Sequence, residues 1–192
     1  MKKWLPLVIV TIGSIGILAY IINDAFFSEL VNPFGALRLF KYFTMLSNLI
    51  AVIYFWLVFT NRTQLKYGWF DRLLGGIVIY VTITFLIYAV LLESTYQVVG
   101  LDLIGNTCLH YVNPILIITY LGVYRKDFNF SKKDIGLWII FPVAYLVFLV
   151  LHGVFTGDYL YPFFQISEVG ISGLLSMIGI LLGVFFILSI LI

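Results

Sequence analysis

Long apolar stretches separated by short polar segments run along the whole chain. A helix needs about 20 mostly apolar residues to cross a bilayer, and six stretches qualify, at residues 5–23, 42–60, 73–92, 104–124, 135–152 and 170–192. Unpaired backbone groups are not tolerated in hydrocarbon, which favours helices, and the alternating pattern of a β-barrel strand is not present in the sequence. The pattern therefore predicts an all-α fold, a polytopic membrane protein built as a bundle of six transmembrane helices.

The connections between these stretches are short, so residues 1–192 are predicted to form a single integral-membrane helical domain. Basic residues predict its orientation, because the cytoplasmic segments of membrane proteins are enriched in Lys and Arg. Nine of the eleven Lys and Arg residues fall on one side of a chain with six spans: Lys2, Lys3, Arg62, Lys66, Arg72, Arg125, Lys126, Lys132 and Lys133. Both termini are therefore predicted to be cytoplasmic, an N-in and C-in topology.

Composition narrows the possible functions. The sequence is 62% hydrophobic and 10% charged, with a mean hydropathy of +1.11, whereas soluble domains have roughly 25% charged residues. These values exclude a soluble globular enzyme, a nucleic-acid-binding domain and a disordered chain. The formal net charge of +2 is too small to indicate a nucleic acid as partner. A single cysteine excludes a disulfide framework and a multi-cysteine metal site.

Two groups of polar residues lie inside predicted spans at helical spacing. Polar side chains in a membrane span are costly, so each group is a candidate for function. In the second span Lys41, Thr44 and Asn48 are spaced i, i+3 and i+7, which places them on one face of a helix. Arg38 and Ser47 lie beside this group. The fourth span carries a second set on one face: Asn106, His110 and Asn113.

Two further groups lie where the third and fifth spans end. Glu93 follows the third span, and His152 ends the fifth, with Asp158 shortly after it. In the predicted orientation all four groups lie near the outer surface, roughly 5–10 Å below it. The inner halves of the spans hold almost no ionisable residues. This asymmetry favours a pocket that faces outward over a pore that crosses the membrane.

Thr44 and His110 are the predicted catalytic pair, because an imidazole can take the proton of a hydroxyl as that oxygen attacks a carbonyl carbon. The sequence contains no nucleophile elbow and no phosphate-binding loop. Zinc needs three or more protein ligands. The conceivable set, His110, His152, Glu93 and Asp158, lacks the spacing of a ligand motif. We therefore predict neither a metal nor another cofactor.

Supporting roles are predicted for the other polar residues of these groups. Arg38 and Lys41 can hold a carboxylate or phosphate headgroup, or extend their charges toward lipid headgroups. Three amides can orient the imidazole or donate to an oxyanion, and amides of this kind also join membrane helices: Asn48, Asn106 and Asn113.

Short segments of the chain carry a resemblance to a known family. The run at residues 40–48, FKYFTMLSN, resembles the second-span segment of the family of androgen-induced gene 1 and androgen-dependent TFPI-regulating protein. The run at residues 109–114, LHYVNP, resembles the histidine segment of that family. The runs WIIFPVAY at 138–145 and TGDYLYPFF at 156–164 are similar to its bacterial branch, called Pr6Pr membrane proteins.

The resemblance implies a function. The animal members of this family are multi-pass threonine hydrolases that cleave fatty-acid esters of hydroxy fatty acids. By resemblance, Thr44 is the nucleophile, His110 is its base, and the substrate is a membrane lipid or another fatty-acyl ester. Ser47 is a reserve nucleophile, because the polar pair Ser47 and Asn48 follows Thr44 in the same run and offers a second register for the resemblance. The bacterial branch implies a bacterial cytoplasmic membrane as the location. Two alternatives stay open: a non-catalytic protein that binds or transports lipid, and an acyltransferase that uses the same residues.

Overall fold

The structure is a computed structural model that describes residues 4–27, 35–60 and 68–192. Within these ranges it contains helices and turns and no strand, which confirms the predicted all-α fold. Five of the described helices are long and apolar enough to cross a membrane, as expected of an integral membrane protein. We number six helices in chain order: α1 (Trp4–Phe27), α2 (Phe43–Phe59), α3 (Gly68–Thr95), α4 (Gly100–Asp127), α5 (Lys132–Thr156) and α6 (Ile166–Leu191).

Each predicted apolar stretch corresponds to one of these helices, and α2 is the short one. It has 17 residues, against 24 to 28 for the five longer helices. A helix of that length rises about 26 Å, slightly less than the roughly 30 Å of the hydrocarbon core. A 3₁₀ segment, Gly35–Lys41, precedes α2. Four of the basic residues that predict the orientation lie outside the described residues: Lys2, Lys3, Arg62 and Lys66.

The chain divides into two compact units, Met1–Asn129 and Phe130–Ile192, and the single domain predicted for residues 1–192 stays a prediction. The first unit contains α1 to α4. Within it, α1 packs against α2 and α4, and α3 also packs against α2 and α4. Its core side chains come from all four helices and include Ile9, Phe55, Leu74, Ile79, Leu109, Ile117 and Tyr120.

Glycine allows α1 to approach α4 closely. A Cβ atom on Gly16 would lie 2.5 Å from Cδ2 of Leu109 and 2.8 Å from Cβ of Cys108. A Cβ atom on Gly13 would lie 2.9 Å from Nδ2 of Asn113. Small residues at such positions let membrane helices come into backbone contact. As a result α1 lies directly against the part of α4 that carries the predicted histidine.

Three helices contain π turns within the described residues: Asn23–Phe27 ends α1, Tyr88–Leu92 lies near the end of α3, and Thr107–Val112 interrupts α4. In a π turn a backbone N–H bonds to the carbonyl five residues back, and such turns are frequent at functional sites. Within α4 the N–H of Asn113 donates to the carbonyl of Cys108, five residues earlier. Pro114 follows directly, and its missing N–H accounts for the irregular helix at this point.

The second unit contains α5 and α6. A capping box formed by Ser131 and Asp134 begins α5. Gly170 interrupts α6 near its start, with a φ of 68° that favours glycine. Both helices expose large apolar side chains, which suits a helix in contact with lipid; they include Val147, Val154, Phe155, Ile171, Leu175, Ile180, Ile187 and Ile190.

Candidate active site

Thr44 and His110, the predicted catalytic pair, lie within hydrogen-bonding distance of each other. Oγ1 of Thr44 is 3.2 Å from Nε2 of His110. Thr44 is half-buried in the first turn of α2, whereas His110 is buried in the π turn of α4. The two residues are 66 positions apart in the sequence, so the packing of α2 beside α4 brings them together.

The second ring nitrogen of His110 determines the direction of this hydrogen bond. Nδ1 lies 3.3 Å from the backbone carbonyl oxygen of Asn106, which can only accept. In a neutral imidazole the proton therefore resides on Nδ1, and Nε2 is the acceptor. It follows that the hydroxyl of Thr44 donates to Nε2. This is the direction that a hydroxyl nucleophile and its general base require.

Asn48 connects the segments that carry the pair. This fully buried side chain donates from Nδ2 to the backbone carbonyl of Thr44, at 3.0 Å, and to that of Leu109, at 3.2 Å. Residue 109 is five positions before Pro114, which has no N–H to donate in a π turn. The Asn48 amide therefore satisfies a carbonyl in the segment where proline interrupts the helix. Its hydrogen bonds also fix α2 beside the residue that precedes His110.

Asn113 completes this buried amide cluster. Its Nδ2 donates to Oδ1 of Asn48 at 2.9 Å, and the side chain is fully buried beside Gly13 of α1. Its own Oδ1 has no hydrogen-bond partner within the part of the chain that the structure describes. The predicted face of Asn106, His110 and Asn113 is therefore a buried face that contacts α1, α2 and α3.

Ser47, the reserve nucleophile, has a different environment. Its hydroxyl is fully buried and donates to the backbone carbonyl of Thr44 at 3.2 Å. The same oxygen lies 3.1 Å from Oγ1 of Thr84 on α3. These hydrogen bonds direct Ser47 toward α3, whereas Thr44 directs its hydroxyl toward His110. Of the two hydroxyls, Thr44 has the contact that a nucleophile needs.

Tyr88 is a further residue of the site that the sequence does not single out. Its ring stacks on the ring of His110, with centroids 4.1 Å apart and planes 29° apart. The Tyr88 hydroxyl also interacts with the side chain of Asn106, and Tyr20 donates to Oδ1 of Asn106 at 3.4 Å. The chain has 13 tyrosines, and Tyr88 lies on a different helix from His110. Spacing along the sequence therefore cannot predict the contact between Tyr88 and His110, because it forms only when the two helices pack.

The predicted charged residues lie at the ends of helices. Arg38 forms an ion pair with Asp24, with Nη2 2.5 Å from Oδ1. This hydrogen-bonded carboxylate raises the pKa of Arg38 above its usual value. Lys41 is half-buried at the end of the 3₁₀ segment before α2, and Glu93 is exposed in the last turn of α3. A lipid headgroup can therefore meet Arg38, Lys41 or Glu93 only at the ends of the helices, where these side chains lie.

His152 and Asp158 belong to the second unit, where His152 lies in the last turn of α5 and Asp158 follows the helix. Nδ1 of His152 donates to the backbone carbonyl of Asp158 at 2.9 Å. The backbone N–H of Asp158 donates to the hydroxyl of Thr156 at 3.1 Å. Gly157, with a φ of 73°, ends the helix between them. These contacts give His152 a part in the C-terminal cap of the helix.

The part of the chain that the structure describes holds no cluster of metal ligands. Across residues 4–27, 35–60 and 68–192, no three His, Cys, Asp or Glu side chains are grouped in a way that could hold a metal ion. The groups around His110 are instead a hydroxyl, amides, a backbone carbonyl and an aromatic ring. Such a set supports proton transfer within a hydrogen-bonded pair.

Comparison with known proteins found no match: no family model, no curated protein and no solved structure matches the chain. The function must therefore be argued from the residues and their geometry. The strongest feature of that geometry is the contact between Thr44 and His110, because it joins a hydroxyl, a correctly oriented imidazole and the end of a helix.

Proposed function

We propose that this protein is an intramembrane lipid-ester hydrolase, with Thr44 as nucleophile and His110 as general base. The observation that carries this proposal is the 3.2 Å contact between Oγ1 of Thr44 and Nε2 of His110. The carbonyl of Asn106 supports it, because it holds the Nδ1 proton and leaves Nε2 free to accept. The resemblance to the threonine hydrolases of fatty-acid esters assigns the same two roles to these residues.

In the first half of the reaction, the Thr44 proton moves to Nε2 of His110 as Oγ1 attacks the ester carbonyl carbon. A tetrahedral intermediate forms, with negative charge on the former carbonyl oxygen. The imidazolium then donates this proton to the oxygen of the leaving alcohol as the C–O bond of the ester breaks. The products of this half-reaction are the free alcohol and an acyl ester on Thr44.

In the second half, His110 takes a proton from a water molecule, whose oxygen attacks the acyl carbon of the Thr44 ester. The imidazolium then gives its proton to Oγ1 as the acyl–oxygen bond breaks. A free carboxylic acid leaves, and both side chains return to their starting states. An alcohol in place of water would give acyl transfer with the same residues.

The first turn of α2 offers donors for the negative charge that develops on the carbonyl oxygen. Thr44 is the second residue of this helix. The first backbone N–H groups of a helix have no acceptor within it, and this end of the helix carries partial positive charge. Donors fixed near a developing oxyanion are among the largest contributions to catalysis. A nucleophile in this turn therefore brings its ester carbonyl close to such donors.

The same proposal includes a location and a topology. We propose six transmembrane helices, with α2 as the shortest, both termini in the cytoplasm and the site facing outward in a bacterial cytoplasmic membrane. The apolar surface supports a substrate dissolved in the bilayer, a membrane lipid or another fatty-acyl ester. The four resembling segments support membership in the family of androgen-induced gene 1, in its bacterial Pr6Pr branch.

A fluorophosphonate probe tests the catalytic assignment, because it forms a covalent adduct with activated hydroxyl nucleophiles. We expect the purified protein in lipid nanodiscs to gain one probe by intact mass, with the adduct on Thr44. The variants Thr44→Ala and His110→Gln should each reduce labelling at least 100-fold, since removal of a nucleophile or its base has effects of this size or larger. The Thr44→Ala change keeps the backbone carbonyl that Asn48 and Ser47 contact.

Thr119→Ala is the matched control. Thr119 is an exposed threonine on α4, and its hydroxyl donates to the backbone carbonyl of Ile115 at 2.7 Å. This variant should be labelled at the wild-type rate. A wild-type protein that binds lipid, takes up no probe and cleaves no fatty-acyl ester would contradict the proposal and favour a lipid-binding or transport protein.

A further inference from the structure

The proposed reaction places a positive charge on His110 inside a membrane protein. In many hydrolases a carboxylate hydrogen-bonds to the base and balances this charge. Here the group at Nδ1 is the neutral backbone carbonyl of Asn106, and Nε2 contacts the neutral hydroxyl of Thr44. A buried charge without compensation is costly. The site therefore needs another group that interacts more strongly with the imidazolium than with the imidazole.

Tyr88 has the geometry for this task. Its ring lies nearly parallel to the imidazole, at 29°, with a centroid separation of 4.1 Å. The face of an aromatic ring carries partial negative charge and attracts cations within about 6 Å of its centre, most strongly where water is excluded. Tyr88 is buried, with 5% of its surface exposed, and His110 is buried with 7% exposed. The attraction between them is thus weakly screened.

The tyrosine ring is held in this orientation from several sides. The side chain of Asn106 interacts with the hydroxyl at its outer end. The ring of Tyr111 contacts it edge to face, with centroids 5.8 Å apart and planes 89° apart. The π turn of α3 begins at Tyr88 itself. A ring held in this way can stabilise a cation without rearranging during the reaction.

We propose that Tyr88 is a positioning residue whose ring face holds His110 and stabilises the imidazolium formed while Thr44 attacks the ester. This inference rests on the proposed hydrolase function. Before the reaction the ring orients the neutral imidazole by stacking. Once the Thr44 proton reaches Nε2, the same ring face interacts with the positive charge through a cation–π contact. When Nε2 gives the proton to the leaving oxygen, that interaction is lost and the product alcohol departs.

Several ionisable side chains lie around the stacked rings. The described structure places Tyr20 of α1 and Tyr88 of α3 against Asn106, and Tyr111 of α4 against Tyr88. Glu93 of α3 interacts electrostatically with Tyr88 and Tyr111. Substitutions confined to the ring at position 88 leave Glu93 and the other tyrosine hydroxyls unchanged. Their charge effects are therefore the same in every such variant.

Fluorinated phenylalanines at position 88 test the inference, because fluorine withdraws electron density from the ring face and barely changes its size. The series comprises Tyr88→Phe and its mono-, di- and trifluorinated forms, introduced by stop-codon suppression into the full chain in nanodiscs. The measurement is the second-order rate of fluorophosphonate adduct formation at Thr44. We expect Tyr88→Phe to stay within about threefold of wild type. The rate should then fall with each fluorine, to about one tenth for the trifluorinated ring.

Phe85 provides the matched control series. It lies on the same helix, and its ring contacts Tyr111 edge to face, with centroids 5.7 Å apart. The same fluorinated residues at position 85 should leave the rate unchanged. The inference would be overturned if the rate did not change with fluorination at position 88, or fell equally at positions 85 and 88. In either case the Thr44 adduct would still support the hydrolase function. Failure of wild type to form that adduct would overturn both.

Discussion

At the scale of single residues, two hydroxyls three positions apart on α2 have different surroundings. Thr44 donates to the ring nitrogen of His110, whereas Ser47 lies 3.1 Å from Oγ1 of Thr84. The sequence predicts that both lie near the site. Thr44 is the preferred nucleophile because residues 40–48 resemble the threonine segment of the hydrolase family. A hydroxyl without a base nearby is a weak nucleophile, so these contacts favour Thr44 over Ser47 in the proposed reaction. Ser47 thus has a structural role in joining α2 to α3.

This assignment predicts the behaviour of Ser47→Ala. Labelling by the fluorophosphonate probe should stay within about twofold of wild type, because the Thr44 pair remains intact. The free energy of unfolding should fall by about 1 kcal/mol, because Thr84 loses a buried hydrogen-bond partner. The checks are the labelling rate and thermal unfolding in detergent. Labelling that disappears in Ser47→Ala but persists in Thr44→Ala would move the nucleophile to Ser47.

At the scale of helices, the π turn of α4 and the close approach of α1 position His110. Pro114 cannot donate to the carbonyls behind it, and Asn48 supplies one of the missing donors at Leu109. On the opposite side, Gly16 leaves space for Leu109 itself. The helix segment that carries His110 is therefore held between α1 and α2.

Gly16→Ala should disturb this arrangement. The new Cβ would lie 2.5 Å from Cδ2 of Leu109 and 2.8 Å from Cβ of Cys108, so α1 must move away from α4. We expect a loss of about 1–3 kcal/mol in the free energy of unfolding. Labelling at Thr44 should become at least fivefold slower. Thermal unfolding and the rate of probe uptake measure the two effects.

Gly122→Ala is the control for this change. Gly122 is also a helical glycine, on α4, and a Cβ there would meet nothing within 4 Å. Alanine favours a helix over glycine by about 1 kcal/mol, so this variant should be as stable as wild type or more stable. Equal losses in Gly16→Ala and Gly122→Ala would show that the approach of α1 to α4 does not depend on Gly16.

The sequence predicts the helices well, because long apolar stretches in a chain with 10% charge have few other solutions. It also brings Thr44 and His110 forward as candidates, since polar side chains in such stretches are rare. It does not predict the stacking of Tyr88 on His110 or the hydrogen bond from Asn48 to Leu109. Both depend on which helices become neighbours and on the π turn, and neither follows from spacing along one helix.

At the scale of the whole molecule, the number of spans decides on which sides of the membrane the two termini lie. Five of the described helices are long and apolar enough to cross, and α2 with 17 residues lies at the lower limit. If α2 also crosses, the two termini lie on the same side. The basic residues at the end of α4 and the start of α5, Arg125, Lys126, Lys132 and Lys133, favour the cytoplasm for these two helix ends.

Epitope tags at both ends of the chain test the topology. We expect protease added to intact spheroplasts to leave both tags in place, and to remove both after permeabilisation. A cysteine at Ser94, an exposed residue at the end of α3, should react with an impermeant maleimide in intact cells when Cys108 is replaced by serine. A cysteine at Lys126 should react only after permeabilisation. Tags on opposite sides would mean an odd number of spans.

The hydrogen bond that orients His110 has a consequence for how the protein tolerates genetic change. The acceptor at Nδ1 is the main-chain carbonyl of Asn106, and every amino acid carries that group. No codon change at position 106 can delete this acceptor, although substitutions there can remove the side-chain contacts to Tyr20 and Tyr88. The backbone of the helix therefore determines which ring nitrogen of His110 carries the proton. In sequences that diverge from this one, the histidine can keep its orientation while the residue one turn before it drifts.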